Sequence, residues 1–135
     1  MTEILSYMVG LIKTGSEGRI SPKIGAIPPL GGVGIQQSSG SVTAPFLPRT
    51  GAIRETYVIN AKNKNQKTAL QTLEEIHRIL TKRFGYQTTD SYQIATIKTL
   101  NLPDYLGQDN DESYMFGSSV EVIYYDRRKA ENPQE

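Results

Sequence analysis

The sequence predicts an α+β domain: a mostly antiparallel four-stranded sheet, two main helices packed on one face, and a long Gly/Pro-rich arm. Three observations predict it. Residues 2–13 and 66–84 repeat apolar side chains at helical spacing. Residues 53–61, 91–100 and 118–126 read as strands. The stretch 14–52 between them is crowded with glycine and proline. At 135 residues the chain fits one domain, taken as 1–128 with the arm inside it and a flexible tail at 129–135.

In the first helix Ile4, Leu5, Met8, Leu11 and Ile12 form one stripe. Thr2 can cap its first turn, and Gly15 and Gly18 punctuate its end. Glu3 stands where a signal peptide carries a basic flank, and no small-residue cleavage site follows. The segment is therefore expected to be a folded helix.

Within 14–52, a short strand fits Val33 to Gln37, and the remainder reads as a long loop or hairpin arm. Loops of this length inside compact domains are usually functional or disordered, so the arm is expected either to order against a neighbouring subunit or to stay flexible. In the next strand Ile53, Tyr57, Ile59 and Ala61 face one way. Arg54, Thr56 and Asn60, with Val58, face the other. Asn63 or Asn65 can cap the second helix, whose apolar face runs Ala69, Leu70, Leu73, Ile76, His77, Leu80 and Phe84. Lys82 and Arg83 suit its C-terminal dipole, and Gly85 ends it.

The strand at 91–100 needs a bulge near Thr96 to put Tyr92, Ile94 and Ile97 on one face. A polar loop is expected from Asn101 to Gly117. The final strand sends Val120, Val122 and Tyr124 to one side and Glu121, Ile123 and Tyr125 to the other.

Composition narrows the function. Fifteen basic residues against fourteen acidic leave a net charge of +1, without the basic excess that drives general attraction to nucleic acid. The absence of cysteine excludes disulfides, thiolate catalysis and cysteine-ligated zinc. No apolar run approaches the roughly 20 residues that span a bilayer.

Each catalytic or cofactor pattern fails on a named residue. His77 is the single histidine, and no Gly-x-Ser-x-Gly elbow accompanies it. Glu74 and His77 give one Glu-x-x-His spacing where a di-iron bundle needs two, so His77 is read as a packed side chain. Gly31, Gly32 and Gly34 miss both the dinucleotide and P-loop spacings and open no helix. Asp109 and Asp111 start like an EF-hand loop, but Tyr114 and Val120 occupy the positions that need glycine and glutamate, leaving a solvated acidic loop. The chain is expected not to be an enzyme and to need no cofactor or metal. It is expected to work by forming contacts.

The run from Glu55 through Lys62 and Asn65 to Leu80 is a strand, a polar turn and an Ala-Leu-x-x-Leu-x-x-Ile helix. With the first helix and the later strands at 91–100 and 118–125, it resembles the minor capsid or tail-terminator proteins of the siphophage and prophage head–tail module. The match covers residues 50–126 and the first helix; the arm is not matched.

The resemblance implies a virion protein, made in the host cytoplasm, that forms a ring, expected to be a hexamer, capping the tail tube and joining tail to head. Its implied partners are other copies, the tail-tube protein and the head-completion protein. DNA would pass through the lumen without sequence-specific binding, and no membrane is involved. A head-completion or connector protein, or a non-viral binding module, is the alternative. The candidate subunit or partner interface comprises Val33, Ile35 and Gln37 of the short strand, Phe46 and Leu47 of the arm, and the basic pair Arg127 and Arg128.

Overall fold

A computed structural model describes residues 2–42, 52–82 and 92–126. In chain order these form α1 (Thr2–Gly15), β1 (Lys23–Ile24), β2 (Gly32–Val42), β3 (Ile53–Asn63), α2 (Gln66–Thr81), β4 (Tyr92–Gln108) and β5 (Tyr114–Asp126). The fold is α+β, as the periodicities require.

The sheet is five-stranded and mixed, in the order β1-β2-β3-β5-β4, which corrects the four-stranded expectation. The extra strand is the two-residue β1, too short to carry an alternation, which pairs parallel to β2. Every other pairing is antiparallel. β3 and β4 therefore run the same way with β5 between them, and α2 crosses from one to the other.

α2 starts where its cap dictates. Asn65 is extended, and its side chain accepts a hydrogen bond from the Thr68 amide at 3.0 Å, so it satisfies one of the free N–H groups of the first turn. Ala69, Leu73, Ile76, His77 and Leu80 are buried along one face, with Leu70 packed at the rim. Phe84 and Gly85 lie outside the described residues. From α1 come Ile4, Leu5, Met8 and Ile12.

Both helices cover the same side of the sheet. There Ile35, Tyr57, Ile59, Ile94, Ile97, Val120, Val122 and Tyr124 close the core, each at most 2% exposed. Burial of this apolar surface, at about 25 cal/mol per Å², is the main force holding the two layers together.

Several strands run further than the sequence suggested. β2 extends to Val42. β4 and β5 continue through the expected polar loop and leave only a tight turn at 109–113. The reason is irregular register: β4 shifts against β5 at Ile94/Thr96, Thr99/Asn101, Asn101/Asp104 and Tyr105/Gly107. The first shift is the bulge expected near Thr96. The other three break the alternation that would have marked residues 100–108 as strand. No helix among the described residues is long and apolar enough to cross a membrane.

Candidate interaction surface

Among the described residues, the side of the sheet away from the helices has no covering layer of secondary structure. At its centre Val58 and Asn60 of β3, Gly117 and Ser119 of β5, and Leu102 and Leu106 of β4 line an open groove of about 660 Å³. Gly117 lets two of the lining side chains pack closely over β5. A Cβ there would lie 2.7 Å from Asn60 Oδ1 and 3.0 Å from Leu106 Cδ1, so the space is already filled by those two side chains. The wall is the bulged part of β4. Asn101 Nδ2 donates to Ser119 Oγ at 2.7 Å, which ties the strand down between two register shifts. Because the alternation is broken there, Leu100, Leu102, Tyr105 and Leu106 are all exposed, at 47%, 76%, 48% and 55%.

Beside the groove runs a ladder of charge. Glu121 lies between Arg54 at 3.5 Å and Lys98 at 3.3 Å, drawn from three adjacent strands. Its side chain is only 10% exposed, whereas both cations are largely in solvent. Opposite charges facing each other across strands fix register and keep this part of the face polar.

The far end of the face is pinned by Lys62. Its ammonium reaches the Pro29 carbonyl at 2.7 Å, pairs closely with Asp109, and lies 3.8 Å from Asp111. One side chain thus joins β3, the β1–β2 connection and the β4–β5 turn. The hydrogen bond to Asp109 raises the Lys62 pKa above its usual value, against the opposing effect of burial. Asp109 is held down at about 2, first through hydrogen bonding with Asp111 and then with Lys62. The acidic turn is therefore exposed at Asn110 to Glu112, as expected, but anchored through the Asp109–Lys62 ion pair. The sequence signal for it was weak: Lys62 sits in a polar run that reads as a turn, and its partners are 47 and 49 positions away.

Two polar networks sit on the helix side. Glu55 is buried, accepts the Tyr57 hydroxyl, and accepts Gln37 Nε2 at 3.0 Å. Burial first, and this hydrogen bond second, push the Tyr57 pKa far up, so its hydroxyl stays protonated. Strand parity could have placed Glu55 inward, since it falls between Ile53 and Tyr57 on the same face. His77 is also buried. Its Nδ1 is 2.8 Å from Thr99 Oγ1, its Nε2 has no hydrogen-bond partner among the described residues, and burial lowers its pKa. Glu74, one turn before it, is exposed to solvent while His77 is buried. Among the described residues no group of three or more carboxylates and histidines is placed to hold a metal ion. The glycines near residue 31 serve packing: a Cβ at Gly34 would fall 2.6 Å from the Ala26 carbonyl, which crosses over it.

Of the expected interface residues, three are described, and two of these are buried. Val33 and Ile35 are 6% and 0% exposed, because their strand positions point at α1 and the core, so they are not surface groups. Gln37 is exposed but commits its amide to Glu55. Phe46, Leu47, Arg127 and Arg128 lie outside the described residues. The groove and the exposed leucines of β4 were missed, because that segment read as loop.

No protein-family model matches the chain, and no curated protein matches its sequence. Among solved structures the chain is similar to one from the virion of a native gene transfer agent (GTA) particle. The TM-score is 0.56, the identity 11%, and the likeness covers 84% of each chain. At that identity what the two chains share is the fold.

Proposed function

We propose that this chain is a structural subunit of a virion, and specifically a tail terminator. Copies form a ring, a hexamer in this reading, that caps the tail tube and joins it to the head. The observation that carries the proposal is the fold shared over 84% of both chains with a component of a virion. The uncovered sheet face supports it independently, since a subunit that works by contact needs an apolar surface left open in the single chain.

In this role the protein performs no covalent chemistry and needs no cofactor. It binds other copies, the tail-tube protein and the head-completion protein by surface complementarity. DNA passes through the ring lumen without base recognition, in keeping with a net charge of +1.

Electron microscopy of particles assembled without this protein tests the role. Abnormally long tails are expected for a terminator. Tailless heads that leak DNA would move the protein to head completion, and unchanged particles would remove it from the virion.

A further inference from the structure

Among the described residues, the large hydrophobic side chains that stay exposed fall, apart from Tyr125, into two sets. Ile24 at 52% and Leu30 at 99% belong to β1 and its connection to β2. Leu100, Leu102, Tyr105 and Leu106 belong to β4. β1 and β4 are the two opposite edges of the sheet. Four strand spacings separate them, roughly 19 Å.

We propose that copies of this chain associate head to tail. The Ile24–Leu30 corner of one copy seats in the groove beside Leu102 and Leu106 of the next, and Lys23 of the first faces Asp104 of the second. This supplies the contact for the ring described above and rests on that reading.

Three features carry it. A two-fold contact uses one patch against itself, whereas two different patches on opposite edges suit a head-to-tail arrangement. The charges are complementary: Lys23 is exposed beside Ile24, Asp104 is exposed on the groove wall, and among the described residues neither has an ion partner. The protruding corner is held in place before any partner arrives. The Gly31 amide donates to the Pro28 carbonyl at 3.0 Å, and Lys62 holds the Pro29 carbonyl at 2.7 Å. A preordered loop loses little entropy on docking.

The four register shifts of β4 also decide how the partner binds. A bulged edge offers no even row of N–H and C=O groups, so the partner meets side chains and does not add a strand.

The absence of cysteine makes the contact testable by disulfide trapping. Leu30→Cys and Leu102→Cys both fall at exposed positions, so folding should be unaffected. The full chain carrying both substitutions, concentrated and treated with a mild oxidant, should give a ladder of linked multimers on a non-reducing gel. Either single variant alone should stay monomeric, and an equimolar mixture of the two should stop at dimers. Asp104→Lys should reduce the linked fraction several-fold, and adding Lys23→Glu should restore it.

Linked dimers from one single variant alone would overturn the head-to-tail contact in favour of a two-fold one. A double variant that stays monomeric would overturn the contact outright. Light scattering of the unmodified chain separates this from failure of the ring: oligomers beside an unlinked double variant would mean that the ring stands on another surface.

Discussion

The two faces of the sheet are built for different ends. Under the helices, side chains from α1, α2 and four strands interlock, and the polar groups there, Glu55 with Tyr57 and His77 with Thr99, are drawn into internal hydrogen bonds. On the other face a nearly buried carboxylate is held between two solvent-exposed cations, and leucines stand open beside a groove floored by glycine. The first face stores stability. The second gives some up by leaving apolar area in water, which makes sense when another surface covers it. Stability and recognition should therefore separate by mutation.

The largest effect is expected beneath the helices. Leu73→Ala or Ile76→Ala, both fully buried, should cost about 2–5 kcal/mol in denaturant unfolding, since each leaves a cavity in a packed layer. A smaller loss follows from breaking the internal network. Tyr57→Phe removes a donor to the buried Glu55 carboxyl, and about 1.5–3 kcal/mol should be lost.

The His77 pair gives a pH-dependent test. Its folded pKa lies below the ordinary 6.5, so the unfolded chain binds the proton more readily. Its contribution is full above that value and falls as pH drops through it. Thermal melts should therefore weaken below pH 6.5, and His77→Leu should flatten that part of the profile. Asp109 acts lower down. With its carboxyl held at about 2, its contribution is present above the ordinary 3.8 and lost as pH falls toward 2, a step that Asp109→Asn should remove. The smallest change is expected on the uncovered face. Arg54→Ala should shift stability by less than about 1 kcal/mol, because its pair is half in solvent and Lys98 still faces Glu121.

The same contrast explains what the sequence could and could not reveal. The helix-covered face was legible because burial imposes a period: Ile4, Met8 and Ile12, or Tyr57 and Ile59, announce themselves by spacing alone. The Asn65 cap was legible as one of two choices, Asn63 or Asn65. The uncovered face imposes no such period. Between Leu100 and Leu106 the register shifts repeatedly, so apolar residues follow no alternation and the segment resembled a loop. Val33 and Ile35 were misassigned to an interface for the opposite reason. Their alternation was real, but without β1 and α1 beside them nothing in the sequence told which face was covered. The Lys62 corner joins residues far apart in the chain, a coincidence that only folding brings about.

The central claim is that the uncovered face exists for assembly. Leu102→Asp tests it most directly, because Leu102 is 76% exposed and contributes little to the core. The variant should melt like the unmodified chain, yet particles assembled with it should show the same tail defects in electron micrographs as particles lacking the protein. Normal particles carrying the variant would contradict the account.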